Sequence, residues 1–208
     1  MKIFILCILL TVGIYPSLSK TGIGLNAGAK VFAQDYGSED DSHGDITITG
    51  GFLPNEYGTT ETQVGNLCVP YTMEYIGDFF GIDIDPTGLA YEYANEDTDL
   101  YDSFFDNGIP YNQIETIAAT KFNLSVVYDN VTNPNSANSD LLYGILDEGH
   151  PLMATYRDAS FGLHEVMVTG YDPINGATKA LNSQTGQWEY QDPGDYIKVI
   201  EVTGPKSP

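Results

Sequence analysis

The chain has 208 residues, carries 29 acidic against 8 basic side chains, and has a formal net charge of -21. That balance leaves no basic surface able to hold a phosphate backbone, so nucleic acid is excluded as a partner and anionic membrane surfaces are disfavoured. Long-range attraction, screened by salt, favours basic substrates.

Met1 and Lys2 precede an almost wholly apolar run over 3–15, which Pro16 breaks ahead of Ser17, Leu18 and Ser19. That run is too short to cross a hydrocarbon core of about 30 Å as a helix. A charged start, a short apolar middle and a small-residue exit predict a cleavable secretory signal over 1–19. The mature chain is then expected to start at Lys20, outside the cell or in a periplasm, with no membrane insertion after cleavage. Of the two cysteines, Cys7 leaves with the signal and Cys68 stays without an internal partner. Such a thiol is either a small buried core residue or one kept for its reactivity.

Residues 20–58 are rich in Gly, Ala, Ser and Asp and read as a flexible entry segment, with a short alternating strand at 45–49 and a solvated His43. A single domain over 59–208 follows. From Cys68, the residues Val69, Met73, Ile76, Phe79 and Phe80 recur at helical spacing, Pro70 suits a first turn and Gly81 marks the stop. The D-x-D-x-x-G over 83–88 is similar to the start of a calcium loop but lacks its further acidic ligands and distal glutamate. The spacing predicts a second helix over 111–122, a strand at 124–128, and a third helix over 140–148 capped by Ser139. Strands are predicted at 151–156, 164–171, 177–181, 188–190 and 196–202, with Asp172, Pro173, Asn175 and Gly176 in a turn. Helices first and antiparallel strands later make an α+β order.

Cys68 stands at a helix start, where backbone amides stabilise negative charge, so the reading predicts an acidified thiol. A thiolate attacking a carbonyl produces an oxyanion, for which the amide of Cys68 and the side chain of Gln63, five residues upstream, offer donors. His164 opens a strand and supplies a base. Asn182, at the end of the next strand, can orient it, with Asp172 and Asp192 as competing groups. Each residue also has a bland reading: Cys68 as core, His164 bonded to a carbonyl, Asn182 as a turn residue, Gln63 as a loop residue. His150 reads as structural. His164 and Glu165 begin no H-E-x-x-H motif, so zinc is unsupported. The 15 tyrosines are scattered through predicted elements as packing residues, and sequons begin at Asn123 and Asn130.

The order Gln63, Cys68, His164, Asn182 resembles the papain-like cysteine peptidases, and more closely compact bacterial members related to bacteriocin-leader (double-glycine) peptidases. The resemblance covers about residues 58–202 and rests on Q-V-G-N-L-C-V-P, D-E-G-H-P-L-M-A and L-H-E-V-M-V-T-G-Y-D. It implies a papain-like α+β fold whose N-terminal helices carry the nucleophile at a helix N-terminus and pack on an antiparallel sheet. It further implies Cys68 as nucleophile, His164 as base, Asn182 as orienting residue and Gln63 as oxyanion donor. Val69 stands where the bacterial relatives usually have glycine, and Asn182 where they more often have aspartate.

The expectation is a secreted, monomeric cysteine peptidase that cleaves peptide or protein substrates without metal or cofactor. His164 would hold the charge-paired thiolate and then protonate the leaving amine. A transpeptidase or cell-wall amidase would use the same site. A catalytically inactive binding or inhibitor module would leave Cys68 merely packed.

Overall fold

The computed structural model describes residues 62–130, 139–160 and 162–207. The expected signal, the 20–58 entry segment with its 45–49 strand, the first residues of the 59–208 domain and most of the 130–132 sequon lie outside the described residues. Among the described residues, no helix is long and apolar enough to cross a membrane.

Helix α1 (Cys68–Phe80) starts and stops where the hydrophobic spacing places it. Leu67, fully buried, stands at its N-cap. Gly81 ends it in the left-handed region at φ 73°, donating to the Asp78 carbonyl while Ile82 N–H reaches back to Gly77. Two short helices then follow that the hydrophobic periodicity does not reveal. Asp85 caps α2 (Pro86–Tyr93), with Pro86 at a first-turn position, and Asp97 caps α3 (Thr98–Asn107). Asp85 Oδ1 accepts from the Thr87 amide at 3.1 Å and from its hydroxyl at 2.9 Å, so the calcium-like spacing is here a helix-capping motif.

The helix expected over 111–122 is shorter. Residues 111–113 form a 3-10 turn, α4 spans Ile114–Ala118, and Thr120 N–H and Lys121 N–H close turns onto Ile117 and Ala118. Phe122, fully buried, already opens strand β1 (Phe122–Asp129). Its aromatic bulk fits either element, and the sheet claims it. Helix α5 (Ser139–Asp147) buries Leu142, Ile145 and Leu146.

The remaining strands are β2 (Leu152–Asp158), β3 (Gly162–Tyr171), β4 (Thr178–Asn182), β5 (Gln187–Gln191) and β6 (Tyr196–Pro205). They form one six-stranded antiparallel sheet in the order β1-β6-β2-β3-β4-β5. Alternation divides its faces. Met153, Met167, Leu181 and Ile200 join the core under α1 to α4, while Leu152, Ala154, Val166, Val168 and Val199 pack with α5. The architecture is α+β, consistent with a papain-like fold, with α1 laid against β3.

Asp85→Ala is expected to lower stability by about 1 kcal/mol, the typical worth of an N-cap. Urea unfolding with and without calcium should give the same loss; a calcium-dependent difference would restore a metal role to this loop.

Candidate active site

The loop ahead of α1 is held at both ends. Gly65 takes φ +57°, and a Cβ there would come within 2.6 Å of the Phe105 carbonyl oxygen. Asn66 N–H donates to that same carbonyl at 2.8 Å, and its side chain donates to the Asp106 carbonyl. On the other side, Gln63 N–H donates to the Ser183 carbonyl at 2.8 Å while Ser183 Oγ donates to Gln63 Oε1 at 2.7 Å. Gln63 Nε2 donates to Gly65 O at 2.9 Å. The loop that carries Gln63 into Cys68 is thereby fastened to the residue next to Asn182.

A cleft of about 380 Å³ opens here, with Gln63, Asn66, Cys68, Tyr111, His164 and Gln184 among its lining residues. Cys68 is 8% exposed. Its sulfur receives the main-chain amides of Glu165, Val69 and Cys68 itself, which ties the first turn of α1 to the residue following His164. Burial nevertheless dominates. It pushes the Cys68 thiol up to about 12, the three amides pull it back only in part, and the Glu165 carboxylate adds to the rise. The acidified thiol predicted from the helix terminus, and the resting thiolate paired with His164, are therefore not what this environment favours. Desolvation outweighs the partial charges of one helix end.

His164 is buried as well, and its pKa is lowered first by that burial, against the opposing effects of Asn182, Asp158 and Glu189. His164 Nε2 and Asn182 Oδ1 are 2.7 Å apart, and the Tyr156 ring meets the imidazole edge-on at 5.6 Å. In the neutral ring this bond places the proton on Nε2 and the lone pair on Nδ1. The two competing carboxylates are engaged locally. Asp172 accepts from Ile174 N–H at 2.8 Å and from the Asn175 side chain, and Asp192 accepts from Gly194 N–H at 2.8 Å. Among these three candidates, the group bonded to His164 is Asn182.

Two features escaped the sequence reading. Glu165, 1% exposed, has its pKa pushed up to about 8 by burial; Thr155 donates to its Oε2, and its Oε1 has no hydrogen-bond partner. Nearby, Lys198 lies buried against Glu115 at 2.6 Å and Asp129 at 3.2 Å, with its ammonium 4.5 Å from the ring centre of cleft residue Tyr111. Inward alternation in the strand at 196–202 was the signal for Lys198. Elsewhere, Glu148, His150 and Glu201 bring one ligand atom each within 4.8 Å at the surface, but His150 Nδ1 already pairs with Glu201 at 2.7 Å.

The model of the Peptidase_C39 like family matches residues 53–200, a span that includes Gln63, Cys68, His164 and Asn182. No curated protein matches the chain.

The raised pKa of Glu165 has a defined sign. Between an ordinary value of 4.5 and about 8, the folded protein binds more protons at this group than the unfolded chain. Its contribution to stability therefore falls as pH rises through that window. Glu165→Gln removes the effect, so its stability relative to the parent protein should grow from pH 4.5 to pH 8 and then level off in urea unfolding. A difference independent of pH would overturn the assignment.

Proposed function

The chain belongs to the Peptidase_C39 like family, which points to a cysteine peptidase, and on that premise we propose that Cys68 and His164 carry out peptide-bond hydrolysis. The observation that carries this reading is that Cys68, His164 and Gln63 line one cleft, with the thiol seated against the amide of the residue after His164. Because burial keeps the thiol protonated and the imidazole neutral, His164 works as a general base during attack rather than holding a preformed thiolate. The Cys68 proton passes to His164 Nδ1 as sulfur bonds to the carbonyl carbon. The carbonyl oxygen becomes an oxyanion facing the Cys68 amide and the second hydrogen of the Gln63 amide. Collapse of this species breaks the C–N bond, and the imidazolium gives its proton to the departing amine. Water, deprotonated by His164, then attacks the thioester, releasing the carboxylic acid and returning the thiol.

Substrates are peptides or proteins, with a preference for basic segments given the net charge of -21. The N-terminal 19 residues direct export in this reading. One observation favours the non-catalytic alternative, a binding or inhibitor module, namely the depth at which the thiol is buried.

Hydrolysis of fluorescein-labelled casein separates the two. Cys68→Ala and His164→Ala should each lower kcat/KM by at least about 10⁴-fold, and iodoacetamide should label native Cys68 more slowly in His164→Ala. Equal turnover in Cys68→Ala, or labelling only after unfolding, would leave the binding module.

The pH dependence follows from His164. The base must be neutral, and burial lowers its pKa from 6.5, so the neutral form persists further into acid. The acid limb of kcat/KM is expected below pH 6.5; a limb above it would contradict the assignment.

A further inference from the structure

Strand alternation sets three side chains on one diagonal of the sheet. Val166 pairs with Asn182 across β3 and β4, so His164, two residues before Val166, shares a face with Asn182. Ala180 pairs with Glu189 across β4 and β5, so Asn182, two residues after Ala180, shares that face with Glu189. The contacts follow the register. His164 Nε2 meets Asn182 Oδ1 at 2.7 Å, and Asn182 Nδ2 donates to both carboxylate oxygens of Glu189, each at 3.1 Å. Thr185 Oγ1 fixes the carboxylate in turn at 2.9 Å, and Gln184 N–H donates to Asn182 Oδ1 at 2.9 Å.

We propose that Glu189 is a positioning residue for His164, acting through Asn182 to fix the imidazole tautomer and to supply the negative charge that a neutral amide lacks. The proposal rests on the reading of His164 as the base. An amide side chain is nearly symmetric in shape, so only its neighbours decide which end faces the histidine. A carboxylate accepts and cannot donate. Reversing Asn182 would aim its oxygen at Glu189 and its NH₂ at the Gln184 amide, so both neighbours oppose the reversal. With Oδ1 held toward His164, the neutral ring keeps its proton on Nε2 and its lone pair on Nδ1, the arrangement a base needs.

The charge acts as well. The ionisable groups that bear on the imidazole are Cys68 from α1, Tyr156 and Asp158 from β2, and Glu189 from β5 beyond Asn182. Asp158 and Glu189 both favour the imidazolium, against the burial that disfavours it. Glu189 is joined to the ring through a hydrogen-bonded intermediary, Asn182.

Long-range ¹H–¹⁵N spectra of the full chain test this directly, because the protein has only three histidines to assign, His43, His150 and His164. Neutral His164 should appear as a single Nε2–H tautomer. In Glu189→Gln, whose amide oxygen can still accept from Asn182, the tautomer should stay and the imidazole pKa should fall. In Glu189→Ala the tautomers should mix, and kcat on labelled casein should drop about tenfold with KM unchanged, a loss within what a general base contributes.

An unaltered His164 tautomer and pKa in Glu189→Ala, or a wild-type ring protonated on Nδ1, would overturn the proposal. Should Glu189→Ala fail to fold, an unchanged pKa in Glu189→Gln would overturn it alone. The spectra can be recorded in a Cys68→Ala background. Absent casein turnover in the parent protein would then remove the peptidase reading without deciding the role of Glu189.

Discussion

The main-chain amide of Glu165 faces the Cys68 sulfur, and through that contact a helix terminus is joined to a sheet at one defined point. Strand β3 lies in the interior of the sheet, flanked by β2 and β4, so it cannot shift without breaking two ladders. Helix α1 is packed over it with Val69, Met73, Tyr75 and Ile76 buried. The hydroxyl of Thr72, one turn further along, donates to the Glu165 carbonyl at 3.2 Å. The main-chain N–H and C=O of Glu165 are thus both engaged by α1. The thiol and His164 reach one cleft through core packing, and the loop from Gln63 to Leu67 is fastened there by its own bonds to Ser183 and Phe105.

The same packing sets the electrostatics. A thiol, an imidazole and a carboxyl lie within two successive strand residues and one helix turn, and all three are buried. Desolvation disfavours the charged form of each, which raises Cys68 and Glu165 and lowers His164. The resting site is close to neutral although the chain carries -21. Formal charge lies beside this group, in the buried Lys198 ion pairs with Glu115 and Asp129 on one side and at half-buried Glu189 on the other. In the proposed reaction such a site makes charge only during attack, where the low dielectric strengthens each interaction with fixed amides.

The amphipathic α1, with Pro70 inside and Gly81 just beyond, was legible because its period and its punctuation agree. Strands β2, β3 and β4 were legible because buried runs bounded by turn residues leave few alternatives. Helix α3 was not, since of its ten residues only Phe104 is fully enclosed and most of the rest face water. The spacing of Phe122 from Ile114 and Ile117 fits a helix, and strand pairing with Pro205 decides otherwise. At the site, Gln63, Cys68, His164 and Asn182 could be singled out by residue type and order, and the fold brings all four to one place. The sign of the thiol shift could not be read, because it depends on how deeply the side chain sits, which no local pattern encodes.

Glu189 shows where such reading stops. In the sequence it lies in Gln-Trp-Glu-Tyr-Gln, an alternating edge strand with nothing to mark a functional side chain. Its relation to His164 needs the register of two ladders at once, and a one-residue slip in either would turn it to the opposite face. The short turn after Asn182 fixes that register, with Gly186 N–H donating to the Asn182 carbonyl at 2.8 Å and Asn182 paired with Gln187. Asn182, bonded to His164, carries no charge of its own, so in the proposed role a carboxylate one bond further out stabilises the imidazolium without sitting close enough to hold the proton. The separation matters in a buried site. A carboxylate in direct contact would itself need desolvation, whereas Glu189 on the half-buried edge strand keeps its solvation and acts through the amide.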